Sequence, residues 1–271
     1  MKKQKTGLKR NTIDKFYTNT NIANECLNIL KNTGIIDKEI DLMIEPSAGN
    51  GSFITGIKNL CSNYAFYDLE PMHNEIIKQD YLNFENKTTL RTHVVGNPPF
   101  GRQSSYAIKF IKKSCQFCHS LSFILPKSFK KDSLKKHFPL QFHLIHQSDI
   151  PFNSFLVNGN THDVPCVFQI WEKRETKRYV PKKLLPKSFK FVKKEEEHDI
   201  SFRRVGVNAG NIDKKTENKS VQSHYFIKFH NDVSEEIYKK IESIQFDSDN
   251  TVGPKSISKQ EVIKEYNKII L

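Results

Sequence analysis

Asn97-Pro98-Pro99-Phe100 follows directly on the apolar run Thr92–Val95 and Gly96. Two successive prolines can neither continue a central strand nor open a helix normally, so they fix a rigid, extended loop. Such a loop would hold the Asn97 amide and neighbouring backbone carbonyls at the carboxyl edge of a sheet, where α/β folds bind ligands. Phe100 adds a face on which a planar ring can stack. A purely structural Pro-Pro turn would explain this segment alone. Two signals upstream argue against so bland a reading.

The first is Glu45-Pro46-Ser47-Ala48-Gly49-Asn50-Gly51-Ser52-Phe53, placed after the short apolar run Leu42–Ile44. An acid at a strand end, then G-x-G, then a helix start is the plan of a nucleotide-binding turn, because glycine lets backbone approach a ligand. The third glycine of the dinucleotide fingerprint is replaced by Ile54, which disfavours nicotinamide binding. The second signal is Asp68, followed by Leu69, Glu70 and Pro71. An acid at the tip of the second strand can accept both ribose hydroxyls of an adenosine ligand, although alone it could be a solvated loop acid. In Gln79-Asp80-Tyr81-Leu82 an acid can take an adenine amino group, and a ring can stack on the base.

Elements that could position these groups alternate along the chain. A short amphipathic helix is expected over 21–30, ending near Gly34. Strands are expected at 42–44, 64–67, 92–95, 121–125, 142–145 and 164–171, with a helix through Phe53, Ile54 and Ile57. Short buried strands at helix-length intervals imply an α/β fold, a Rossmann-like, doubly wound, mostly parallel sheet with helices on both faces.

With these residues in this order, the sequence resembles the class I S-adenosylmethionine-dependent methyltransferases that modify exocyclic amino groups. Glu45–Phe53, Asp68–Pro71, Asp80-Tyr81 and Asn97–Phe100 look like their first four motifs, with Glu in place of the commoner Asp at the head of the first. Phe16-Tyr17-Thr18, after Lys15, resembles the extra motif of adenine-N6 DNA methyltransferases whose recognition region is C-terminal. Leu125-Pro126-Lys127-Ser128-Phe129 resembles a further segment. The resemblance covers about residues 12–172.

It implies that Gly49 and Gly51 lie against S-adenosyl-L-methionine, beside Pro46 and Ser47, with Glu45 near its methionine part. It implies that Asp68, followed by Leu69, holds the ribose, that Asp80-Tyr81 meets the adenine, and that Phe16, Tyr17 and Thr18 close over the methionine end. The Asn97 side chain and Pro98 carbonyl would accept from the substrate amine, Pro99 would stiffen the loop, and Phe100 would stack. The implied reaction is N6-methylation of adenine in nucleic acid, DNA ahead of RNA, with base flipping and without a metal. Adenosine-N6 or guanine-N2 methylation of RNA is the nearest alternative. A catalytically silent nucleic-acid-binding module is a second.

Composition bounds the rest. The 271 residues hold 43 Lys+Arg against 30 Asp+Glu, a net +13, which fits a polyanionic partner as well as an AT-rich genome. No apolar run approaches the ~20 residues needed to cross a bilayer. The basic start MKKQKTGLKRNT has no apolar stretch behind it, so residues 1–12 are expected to be a disordered arm. Five cysteines at irregular spacing make no disulfide framework and fit a reducing, intracellular compartment. Cys115-Gln116-Phe117-Cys118-His119 matches a haem-attachment pattern, but buried or incidental thiols explain it more simply.

After Glu172 the texture changes. Residues 176–230 hold 14 Lys+Arg against 6 Asp+Glu, a net +8. The expected organisation is a methyltransferase domain over 13–175 and a basic recognition module over 176–271, with a helix over 233–244. Arg203 and Arg204 can grip phosphates, and Asn208 sits in a Gly/Asn-containing loop able to approach a backbone. Ser223–Phe226 could add stacking, while an exposed basic hairpin that merely stabilises the appendage is the alternative.

Overall fold

Residues 16–157, 159–246 and 255–270 are described by a computed structural model. The arm expected over 1–12 lies outside the described residues. The chain divides between Arg178 and Tyr179 into two compact units. The first contains strands β1 (Tyr17–Thr18), β2 (Leu42–Glu45), β3 (Asn63–Asp68), β4 (Ile77–Lys78), β5 (Thr92–Gly96), β6 (Ser120–Pro126), β7 (Phe142–Asp149), β8 (Phe155–Val157), β9 (Asn160–His162) and β10 (Cys166–Lys173). Its helices are α1 (Thr20–Asn32), α2 (Ile54–Leu60), α3 (Ser105–Ser114) and α4 (Asp132–Lys135).

Seven strands form one sheet in the order β4-β3-β2-β5-β6-β10-β7. Strand β10 runs antiparallel to both its neighbours, and the other paired strands are parallel. This is the Rossmann-like sheet the alternating pattern implied. Every residue of β5 and β6 is buried, which is why neither alternates between apolar and charged residues along its length. The chain leaves β2 toward β3 and leaves β5 toward β6, in opposite directions across the sheet. Right-handed crossovers therefore put α2 and α3 on opposite faces. The reversal between β2 and β5 opens a crevice at their carboxyl ends.

Helix α1 begins at Asn19, whose side chain accepts the Asn21 N–H at 3.0 Å. It buries Ala23, Cys26, Leu27 and Leu30, the spacing of one helical stripe. A second, antiparallel sheet, β1-β8-β9, was not expected. Tyr17 pairs with Leu156, a contact no local pattern announces.

At the opposite, amino end of the large sheet, His93 joins three strands. Its Nε2 lies 2.9 Å from Asp41 Oδ2 and its Nδ1 2.7 Å from Ser120 Oγ. All three residues are about 1% exposed, so the arrangement clamps strands and meets no substrate. Burial holds the His93 imidazole below its usual value against the pull of Asp41. Burial also lowers His119, His137, His146 and His224. These rings take up protons less readily in the fold than in the unfolded chain, where they do so near about pH 6.5. Their contribution to stability is whole above that value and declines as pH falls through it. Thermal melts are expected to give a Tm that drops below about pH 6.5; a flat Tm from about pH 7.5 to 5.5 would contradict the assignment.

The second unit contains β11 (Phe189–Val192), β12 (Ile200–Arg203), β13 (Ile212–Asp213), β14 (His224–Phe229), α5 (Glu235–Glu242) and α6 (Lys259–Ile269). Its antiparallel sheet runs β11-β14-β12-β13 over a core that includes Phe189, Phe202, Ile227, Val262 and Tyr266. Helix α6 opens on a capping box: Ser258 Oγ accepts the Glu261 N–H, and Glu261 Oε2 accepts the Ser258 N–H. Phe202, next to Arg203, is 0% exposed and lies in the core. One expectation needs correction. In β14, strand alternation buries His224 and Phe226, so neither offers an open stacking face. Among the described residues no helix is long and apolar enough to cross a membrane.

Candidate functional site

A pocket of about 400 Å³ opens at the carboxyl ends of β2, β3 and β5, within the roughly 300–1,000 Å³ of small-ligand sites. Pro46, Ser47 and Gly49 wall it from the loop after β2, Asp68 and Leu69 from the end of β3, and Asn97, Pro98, Pro99 and Phe100 from the loop after β5. Phe16 and Tyr17 of the β1 region and Asp80 with Tyr81 complete the part expected from sequence. Thr18, Glu45 and Gly51 do not line the pocket.

The loop after β2 needs its first glycine for two reasons. Gly49 sits at φ +50°, and a Cβ there would lie 2.8 Å from the Tyr17 ring. Its N–H donates to Asp68 Oδ2 at 2.8 Å, while the Glu70 N–H donates to Asp68 Oδ1 at 2.8 Å. Asp68 thus ties the turn to the end of β3 and keeps lone pairs for a ligand. Gly51, at φ +84°, closes the turn instead of forming its wall.

Asn97 is held from one side. Its Nδ2 donates to the Phe16 carbonyl at 3.0 Å and to Thr18 Oγ1 at 3.1 Å. The Phe16 carbonyl can only accept, which fixes the amide orientation. The Asn97 Oδ1 is buried and has no hydrogen-bond partner among the described residues. Ser47 Oγ donates to the Asn97 backbone carbonyl at 3.1 Å, joining the loops after β2 and β5. Thr18 therefore acts through Asn97 and not as pocket wall. Behind it, Ser52 Oγ donates to the Thr18 carbonyl at 2.6 Å.

Glu45 lies beneath this floor, 2% exposed and with Oε2 unpartnered among the described residues. Burial first, and the neighbouring Asp68 charge second, push its carboxyl well above the usual range. Both causes disfavour its charged form, and it lies below the pocket and not at its wall.

Tyr81 corrects an expectation. Its ring is stacked on Phe84 and Phe110, and its hydroxyl lies 2.8 Å from Ser114 Oγ. A ring so enclosed closes the base of the pocket and has no free face for a nucleobase. Asp80 caps a one-turn 3-10 helix, accepting from the Leu82 N–H at 2.9 Å and Asn83 Nδ2 at 2.9 Å.

Comparison with known proteins adds the following. No protein-family model and no curated protein matches the chain. Among solved structures, a candidate RNA methyltransferase of Pyrococcus horikoshii is similar at 17% identity and TM-score 0.48, over 60% of this chain and 88% of that one. A candidate class I S-adenosylmethionine-dependent methyltransferase of Listeria monocytogenes is similar at 15% and 0.47, over 66% and 67%. A type I restriction-modification methyltransferase subunit of Streptococcus thermophilus is similar at 16% and 0.45, over 59% and 45%. These three neighbours are described as methyltransferases.

Sequence reasoning missed part of the wall. Tyr106, Lys109 and Phe110 of α3 face the pocket. Their three- and four-residue spacing, immediately after the Asn97 loop, was the available signal. Phe16 is buttressed by His162, stacked at 5.4 Å, and by Phe155 at 6.4 Å. Nothing local in the sequence predicts that support. Arg203 and Asn208 line a separate cavity in the second unit. Arg204 does not; its guanidinium lies over the Tyr225 ring, 5.3 Å from the centroid. Cys115 and Cys118 are buried free thiols.

Proposed function

We propose that this chain is an S-adenosylmethionine-dependent methyltransferase acting on the N6 amino group of adenine in nucleic acid, with DNA as the preferred substrate. The observation that carries the reading is the Asn97 Oδ1, a buried acceptor with nothing to accept from, on a wall that also presents Pro98 and Phe100. A buried polar atom left unpaired is costly, and an amine in the pocket would satisfy it.

The pocket also suits the cofactor. Gly49 offers bare backbone, Asp68 keeps acceptor capacity for two hydroxyls, and the Glu45 carboxyl is an orphan that a cationic ligand would pair. Asp68 would hold the ribose, Asp80 the adenine amine, and Tyr17 would lie across the methionine end, where Glu45 meets its charge from below. When bound, S-adenosylmethionine supplies an electrophilic methyl on a sulfonium, whose C–S electron pair stays with sulfur.

The chain's own residues address the nucleophile. An exocyclic amine delocalises its lone pair into the ring and attacks poorly. Asn97 Oδ1 and the Pro98 carbonyl, aimed at the two amine hydrogens, draw it toward a tetrahedral shape. They also stabilise the positive charge that grows on nitrogen, an electrostatic preorganisation. Phe100 stacks on the base and replaces part of the stacking lost on flipping, which costs a few kcal/mol. The surplus proton then leaves nitrogen for solvent.

The test is transfer from methyl-labelled S-adenosylmethionine to duplex DNA, single-stranded DNA and RNA in parallel, followed by nucleoside digestion. N6-methyladenine from DNA is the expected product. Label confined to RNA overturns the substrate, and cofactor binding without transfer to any polynucleotide overturns the activity.

A further inference from the structure

We propose that the second unit carries a phosphate-binding pocket, formed by Arg203, Asn208, Asn211 and Lys219, which takes a backbone phosphate of nucleic acid. The choice of nucleic acid rests on the function proposed above; the preference for phosphate rests on the pocket. It is a cavity of about 240 Å³ in which Ile212 is the one apolar residue among those lining it. That lining leaves no apolar floor for a base and suits a charged ligand.

Arg203 ends β12. Its Nε donates to the Val205 carbonyl at 2.9 Å, which anchors the guanidinium by its inner nitrogen. Among the described residues its two terminal nitrogens have no hydrogen-bond partner, so the fork that grips phosphate is unspent. Gly206, at φ +96°, passes alongside: a Cβ there would lie 3.5 Å from Nη2. Asn208 and Asn211 flank the same turn, where the Asn211 N–H donates to the Asn208 carbonyl.

Lys219 faces this turn from another segment. The Lys194 ammonium donates at 2.8 Å to the carbonyls of Glu217 and Lys219, fixing that segment. Asp213 is the one acid in the lining, and both of its oxygens are engaged. Oδ2 meets Lys219 Nζ at 2.5 Å and Oδ1 accepts the Lys215 N–H at 2.9 Å. Two cations thus stand against one committed carboxylate. The field is visible in His224, lowered by burial first, with Arg203 and Lys219 adding to the shift against its Ser220 carbonyl contact. Donors that converge from β12, the 206–211 turn and the 219–224 segment match a tetrahedral, many-oxygen anion better than a planar carboxylate.

The experiment measures binding of a fluorescent DNA duplex by the full chain across salt concentrations. Arg203→Met and Asn208→Ala are compared with Lys183→Met, a surface change outside the pocket, after circular dichroism shows each folded. Loss of one phosphate contact is expected to weaken Arg203→Met about three- to tenfold and lower the salt slope by about one. Asn208→Ala should weaken binding less, and inorganic phosphate should compete with the duplex for wild type better than for Arg203→Met. Arg203→Met and Asn208→Ala both behaving like Lys183→Met overturns the site. Phosphate binding that needs Arg203 while duplex binding does not overturns the nucleic-acid source. Methyl transfer on the same preparations reads the other proposal separately: duplex binding that needs Arg203 without any transfer refutes the activity and leaves this site standing.

Discussion

Asn97→Ala is expected to lower kcat by about 10²–10³-fold, the usual cost of deleting one preorganised partner of a developing charge. The affinity for S-adenosylhomocysteine should change far less. Two effects must be separated, because Asn97 also bonds the Phe16 carbonyl and Thr18 Oγ1 through Nδ2. Loss of those bonds loosens β1, over which Tyr17 reaches Gly49, and it leaves the Phe16 carbonyl short of a donor. That part weakens cofactor binding and costs about 1–3 kcal/mol of stability at most. Loss of Oδ1 falls on the transition state alone. Saturating cofactor removes the first effect and leaves the second, so kcat at saturation is the deciding number. A variant that binds cofactor and turns over within tenfold of wild type would place the amine elsewhere. The same variant leaves Arg203 untouched, so duplex binding should persist.

What could be read from the sequence follows from how local each cause is. Strand β5 and the Asn97 loop were legible because β-branched Thr92, Val94 and Val95 favour a strand, and because two prolines permit only an extended exit. The turn at Gly49 was legible for a similar reason: its positive φ and close approach to Tyr17 demand glycine at that point. The pairing of β1 with β8 was not legible, since two residues carry no period and the partner is distant in sequence. Nor was the burial of Tyr81, which is enclosed by Phe84 of its own turn and by Phe110 and Ser114 of the later helix α3. Residue type named it a stacking ring. Only tertiary packing decides that both faces are already taken. The second unit resisted reading because its strands are short and set among lysines, so β12 was not expected as a strand, although Phe202 lies in the core.

Asp68→Ala is expected to weaken S-adenosylmethionine binding by about 10²-fold, with kcat at saturating cofactor changed less than tenfold. Each oxygen of Asp68 accepts one backbone N–H, from Gly49 and from Glu70. The proposed ribose hydroxyls would take the remaining lone pairs. Hydrogen bonds to a charged group contribute about 1.5–3 kcal/mol each, so losing the hydroxyl partners alone accounts for a shift of that order. The loop would also relax, and this second route could mimic the first. A 2′-deoxy cofactor analogue separates them. If Asp68 touches the ribose, wild type should lose affinity for the analogue, while Asp68→Ala should bind analogue and parent almost alike. If Asp68 acts only by tethering Gly49, the analogue and the parent should lose equally on substitution. Removal of the Asp68 charge has one further consequence, because that charge helps to hold the Glu45 carboxyl protonated. Glu45 should then ionise at lower pH, and the pH at which cofactor binding changes should move down with it. A binding profile that stays fixed in pH would remove Glu45 from the cofactor's charge.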